Sequence, residues 1–203
     1  MCDEYNGTLV CSQVARQYEQ RKRAERQAET RRRIVEATVD LHTSVGPSRT
    51  SIAAIAERAG VQRHTVYAHF PDEHTLYDAC TRHWTELHPF PEVGAWASVA
   101  DPVKRLRRAL NEVYGWYERV ELDVALFRRD ASLVSGYAFR IEEDAAVRAA
   151  AADFLARDLP RRRAVRAAVG HALDFETWRS LVRRQGLTRR QAIEAMVSLV
   201  TNV

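Results

Sequence analysis

Cysteine is scarce in this chain of 203 residues: Cys2, Cys11 and Cys80 are all there is, too few and too scattered for a disulfide framework. None lies in the CxxC or CxxH spacing that would hold a metal. The expectation is a reduced compartment, no metal and no cofactor. Long apolar runs are missing too. No stretch approaches the roughly 18 uninterrupted apolar residues of a membrane span, and the N-terminus has no apolar core followed by a small-residue cleavage site. No membrane partner is expected, and the location is read as cytoplasmic. Runs of alternating apolar and polar residues bounded by turn signals are likewise absent, whereas helical periodicity dominates, so the fold class is all-α. Catalytic signatures are lacking: there is no GxSxG, GxGxxG, P-loop or HExxH. His83 and His88 are five apart and so fall on different helix faces, and neither Ser132 nor Ser135 has a base at readable spacing. The chain is not read as an enzyme.

What is present is a mild basic excess, +4 overall, set among 46% hydrophobic and 29% charged residues. Of 31 cations only Lys22 and Lys104 are lysines, so abundant arginine is by itself little sign of phosphate recognition. Residues 1–70 hold 11 Lys+Arg against 8 Asp+Glu, and residues 71–203 hold 20 against 19, so three of the four surplus charges lie in the first third. The stretch from about Val14 to Arg33 is rich in helix formers and almost free of apolar residues, which suits an exposed basic arm or a solvated extra helix. From Arg31, the positions of Ile34, Ala37, Thr38 and Leu41 give one amphipathic helix that Gly46-Pro47 ends. Two short helices follow, the first capped by Thr50 or Ser51 with Ile52, Ile55, Ala56 and Ala59 inward, the second with Val66 and Phe70 inward. Pro71-Asp72 opens another. The domains read as an arm over 1–28, a first domain over 29–84 and a second over 85–203. Asp101-Pro102 is a helix start, and further helices are expected at about 121–134, 143–158, 162–184 and 188–201, a bundle of about five in all.

The two short helices joined by a glycine turn have the form of a helix-turn-helix over 51–70. Close crossing needs a small residue in the first helix (Ala56), a residue tolerant of positive φ four positions on (Gly60), and a β-branched core residue six later (Val66). The second helix then presents Gln62, Arg63, His64, Thr65, Tyr67, Ala68 and His69, which can donate to and accept from base edges and phosphates. The run RRRIVEATVDLHTSVGPSRTSIAAIAERAGVQRHTVYAHFPDEHTLYDAC, Arg31 to Cys80, resembles the DNA-binding domain of the TetR family of bacterial transcriptional regulators. The resemblance implies a three-helix DNA-binding domain, a linking fourth helix and a larger helical domain that binds an effector and dimerises. It implies phosphate contacts from Thr50 and Ser51, backbone contacts from Tyr67 and His69, and a recognition helix over about Gln62 to His69, whose outward Gln62, Arg63, His64 and Thr65 complete the expected DNA-binding set. Two departures stand out: Gln62 occupies the usual serine cap of the recognition helix, and Glu73 beside His74 takes the place of a phosphate-binding lysine. Arg21, Lys22, Arg23, Arg26 and Arg31, together with Arg32 and Arg33, offer compensation from the arm. Interleaved Glu19, Glu25 and Glu29 offer the alternative of a solvated helix of i,i+4 pairs.

The segment HALDFETWRSLVRRQGLTRRQAIEAMVSLV resembles the last two helices of TetR-like proteins, which implies a homodimer with Ala172, Leu181, Ile193, Met196, Val197 and Val200 among the interface residues. Trp96, Tyr114, Tyr117, Phe127, Tyr137, Phe154, Phe175 and Trp178 are candidate walls of a pocket for a small apolar or aromatic effector. The expected function is a ligand-responsive, sequence-specific transcriptional regulator, a repressor released from a pseudo-palindromic double-stranded operator. Alternatives are an architectural DNA-binding protein without an effector, and a helical enzyme or interaction module.

Overall fold

The computed structural model describes residues 4–134, 138–160 and 162–203, with no strand among them. The elements are α1 (Glu4–Ser44), α2 (Ile52–Ala59), α3 (Arg63–His69), α4 (Glu73–Leu87), α5 (Pro102–Asp130), α6 (Ala138–Ala156), α7 (Arg162–Ala172), α8 (Phe175–Arg179) and α9 (Arg189–Thr201). The chain divides into two compact units, Met1–Leu41 with Arg49–His83, and His42–Ser48 with Trp84–Val203.

In the first unit the arm and the first core helix are one continuous α1, because nothing between residues 20 and 34 breaks a helix and surface pairs such as Arg32 with Glu29 and Glu36 support it. Ile34, Val35, Ala37 and Leu41 are buried. They meet a core of Ile55, Ala56, Val66, Phe70, Leu76 and Tyr77, each worth roughly 1.5–3 kcal/mol for a large side chain fully removed from water. Tyr77 and Cys80 are buried without charge, and loss of water weakens both as acids, pushing each pKa up to about 12.

The second unit is built on α5, the long helix that Asp101 caps by accepting from Lys104 N at 2.8 Å, with Pro102 in its first turn. It runs on through the expected boundary near 121 to Asp130, changing direction at Val120 (φ −116°, ψ 16°). The connection before it forms a single 3₁₀ stretch, Val93–Ser98, pinned by buried Arg105, which donates to Val99 O, Ala100 O and the Asp158 carboxylate. Helix α6 starts at Ala138, ahead of the expected 143.

The helix expected over 162–184 is broken at Leu173-Asp174. Asp174 turns its carboxylate onto Glu176 N at 2.8 Å, starting α8 and taking the donor that would have satisfied Ala172 O. Two tyrosines of α5 replace the lost donors: Tyr114 Oη donates to Ala172 O at 2.9 Å and Tyr117 Oη to Leu173 O at 2.7 Å. Arg128 faces Asp174 at 3.2 Å. Helix α8 then widens into a π-type turn over Ser180–Arg184, Gln185 N reaching Ser180 O, before Gly186 (φ 72°) ends it. Thr188 and Gln191 form a reciprocal capping box that starts α9.

Residues 42–48 of this second unit converge on one buried carboxylate. Asp130, 1% exposed, accepts from Arg129 Nε at 2.7 Å, from Arg129 Nη2 at 3.0 Å and from Ser48 N at 3.0 Å, while Arg129 also donates to Val45 O. Gly46 (φ 95°) lies against this cluster, and a Cβ there would collide with both side chains. The Arg129 hydrogen bond holds the Asp130 carboxyl down at about 2. His42, fully buried, is pushed down to about 4 by loss of water, the Asp130 charge acting the other way.

Candidate nucleic-acid interface

The helix-turn-helix is assembled by local chemistry. Ser51, not Thr50, caps α2, its Oγ accepting from Ala54 N at 3.2 Å, a contact worth roughly 1 kcal/mol. Gly60 adopts φ 64°, ψ 41°, the left-handed conformation that closes α2, and Val61 N donates to Ala56 O at 2.9 Å. Ala56 is buried and small enough for α3 to pass close to α2, and Val66 is 1% exposed. Gln62 starts α3 in extended backbone with no side-chain cap bond, which frees its amide.

That geometry sorts the predicted DNA-facing residues. Gln62, Arg63, His64 and Tyr67 are exposed, Tyr67 at 49%, on one side of α3, with no acidic residue in the helix. Thr65 and His69 are half-buried, turned toward the flanks, with Thr50 half-buried and Ser51 exposed at the start of α2. Exposed Glu73 sits in the first turn of α4, where its charge suits the positive end of that helix. Asp72 caps the same turn by accepting from Thr75 N and Thr75 Oγ1, both at 2.7 Å, and these bonds hold its carboxyl below the usual range.

The arm's cations divide by partner. Arg31 lies over the Phe70 ring, its guanidinium 4.5 Å from the centroid, and Arg33 donates to Gly60 O at 3.3 Å, so both brace the motif from α1. Arg21 pairs with Glu25 at 3.6 Å. Lys22, Arg23 and Arg26 are exposed with no ion pair within 4 Å among the described residues. The bracing by Arg31 and Arg33 was not read from the sequence; the only available signal was that they flank the first core residue, Ile34.

In the second unit, rings of Tyr117, Phe175 and Trp178 meet edge-on or tilted with centroids 5.2–5.5 Å apart, and contacts through Trp116 and Trp84 extend the cluster to Phe127. Trp84, which sequence reading passed over, donates from its indole to Asp123 at 2.9 Å. Of the other candidate pocket walls, Tyr114 is committed to Ala172 O and Trp96 to Glu112 at 2.7 Å. Phe154 lies between the guanidiniums of Arg105 and Arg157, and Tyr137 falls outside the described residues. The Trp178 indole N–H is buried with no hydrogen-bond partner among the described residues. Of the candidate interface residues, Ala172, Ile193, Met196, Val197 and Val200 are buried inside the unit itself and Leu181 is half-buried, while Gln191, Glu194, Ala195, Ser198 and Leu199 form the exposed side of α9.

Residues 34–80 match the family model of bacterial regulatory proteins, tetR family. The HTH-type transcriptional regulator TtgR of Pseudomonas putida is 33% identical over 95 residues, and the match spans 46% of this chain and 45% of that protein. This chain therefore covers about half the length of that curated relative. Among solved structures, a TetR-like transcriptional regulator from Rhodococcus sp. RHA1 (20% identical, TM-score 0.58) covers 84% of this chain and is itself covered over 93%. NalD of Pseudomonas aeruginosa, described as the secondary repressor of a multidrug efflux pump, is 18% identical with a TM-score of 0.54, covering 86% of this chain and 94% of its own. At these identities the structures share the TetR-like fold over both units. Among the described residues no helix is long and apolar enough to cross a membrane, and no group of three potential ligands could hold a metal ion.

Proposed function

We propose that this protein is a ligand-responsive, sequence-specific DNA-binding transcriptional regulator, a cytoplasmic homodimeric repressor released from a pseudo-palindromic operator by a small apolar or aromatic effector. The exposed, acid-free side of α3 carries the reading: Gln62 and Arg63 have the donors and acceptors to read base edges, and His64 and Tyr67 reach backbone and base alike. Ser51, Thr50 and His69 flank them for phosphate contacts, and Lys22, Arg23 and Arg26 supply the basic extension. Two copies present paired recognition helices to half-sites about one helical turn apart. The exposed side of α9, with small Ala195 and Ser198 beside Leu199 (39% exposed), suits close approach of the partner.

The effector reading rests on the Tyr117, Phe175 and Trp178 rings. An unsatisfied buried N–H costs on the order of 1–3 kcal/mol, so a ligand with an apolar body and one acceptor would gain from Trp178. Release requires that it bind the DNA-free conformation more tightly, since equal affinity for both shifts nothing. The test is fluorescence anisotropy with duplexes from the DNA flanking the protein's own gene. A specific complex that Arg63→Ala weakens by about 1–3 kcal/mol is expected; equal affinity for an unrelated duplex at moderate salt would sink the reading.

A further inference from the structure

Opposite ends of the second unit's sequence bring cations together in a groove of about 620 Å³ between α5 and α9. Its lining holds Lys104, Arg107, Arg108, Arg189 and Arg190 against a single carboxylate, Glu194, with Asn111 and the apolar Ile193 between them. Counting Glu112 and Glu118, which pair with Arg108 and Arg189, and Asp101, whose charge acts on Lys104 and Arg107, five cations face four carboxylates. The groove opens to solvent, and an anion held there gains the attraction of the cations that have no carboxylate of their own.

The walls are preset. Glu194 grips Arg107 through both oxygens, at 2.7 and 2.9 Å, Glu112 accepts from Arg108 at 2.8 Å, and Glu118 lies 3.3 Å from Arg189. Less side-chain freedom remains to be lost on binding. Lys104 and Arg190 have no ion pair within 4 Å among the described residues, so their charge is available to a ligand. A second observation comes from Gly115. It lies inside α5, where glycine costs roughly 1 kcal/mol against alanine. A Cβ there would come within 2.6 Å of Arg189 Nη1, so the missing side chain is what lets the guanidinium lie across the helix.

We propose that this groove binds a small phosphate-bearing anion, a diphosphate in particular. Its charged oxygens meet Lys104, Arg190 and the preset arginines, and any apolar attachment rests on Ile193. The Arg190 guanidinium, which has no ion pair within 4 Å among the described residues, can match phosphate oxygens two at a time, and the volume falls within the roughly 300–1,000 Å³ of small-molecule sites. The groove uses none of the residues assigned to DNA or to the aromatic cluster, and it meets the side of α9 assigned to the partner at Glu194.

The probe is inorganic pyrophosphate, titrated calorimetrically into the full chain at low salt, with sulfate as the comparison anion. Saturable binding is expected, tighter than sulfate. Lys104→Glu with Arg190→Glu should weaken it by at least about tenfold, with an unchanged circular-dichroism spectrum. Gly115→Ala is the second variant: the added methyl favours the helix and displaces only the end of a flexible side chain, so the melting temperature should hold or rise while pyrophosphate affinity falls. No saturable binding, equal binding of sulfate, or variants that bind like the parent would each overturn the proposal.

Discussion

The Arg31 guanidinium of α1 lies 4.5 Å from the centre of the Phe70 ring, which closes α3 and is 1% exposed. A cation over an aromatic face at an exposed edge contributes on the order of 0.5–1 kcal/mol. Arg31→Ala should therefore lower the stability of the first unit by about that much, and Arg31→Gln, which keeps most of the stem, should do nearly the same. Urea unfolding followed by circular dichroism checks this; an unchanged midpoint would mean that the contact carries no energy.

Glu73 faces solvent in the first turn of α4, where a carboxylate is favoured by the helix and a cation would suit DNA. Glu73→Lys should cost roughly 0.3–1 kcal/mol of stability. It should also tighten binding at low salt and steepen the dependence of log affinity on log salt by about 0.9 for the one added phosphate contact. Anisotropy across a salt series reads the slope, and a slope equal to that of the parent would place residue 73 away from the backbone.

Arg21 and Arg31 already have partners, so under the proposed function phosphate contacts from the arm are expected of Lys22, Arg23 and Arg26. Changing these three to glutamine should flatten the same salt slope by about two to three while leaving discrimination between operator and unrelated DNA intact, as expected of phosphate contacts. Loss of discrimination instead would show that the arm reads sequence.

His42 gives the second unit a pH dependence of definite sign. The unfolded chain takes up a proton at the ordinary histidine value of 6.5, whereas the folded form resists down to about 4. Stability is therefore complete above 6.5 and declines as pH falls from there to about 4, a loss of roughly 2–3 kcal/mol. Asp130, held at about 2, adds a further decline below its ordinary 3.8. Thermal melts between pH 7 and 4 should show the first decline in the parent and a flatter profile in His42→Gln; superimposable profiles would assign the dependence to another group.

The helix-turn-helix was legible because its determinants are local. Ala56, Gly60 and Val66 lie within eleven residues, and each requirement is met by a backbone angle or a side-chain volume that one residue type supplies. The start of α5 was legible for the same reason, Asp101 and Pro102 being adjacent. The break between α7 and α8 was not, since 162–184 keeps helical spacing throughout and the groups that make the break tolerable stand on α5, Tyr114 and Tyr117. The basic groove was hidden likewise: Lys104 and Arg190 are far apart in sequence and meet only through the packing of α5 on α9. The aromatic positions of the second unit were legible as buried residues, but which of them share a cluster depends on contacts such as Trp84 with Phe127 that no periodicity encodes.

The two tyrosine hydroxyls and the helix break they serve depend on each other. Had the helix run on through 172–176, the carbonyls of Ala172 and Leu173 would take their donors from its own backbone, and two phenols buried on α5 would be stranded without acceptors. With the break in place, losing either hydroxyl strands a carbonyl instead. Tyr114, Tyr117 and Asp174 are therefore coupled in energy: removing both hydroxyls together with the Asp174 cap should cost less than the separate losses add up to.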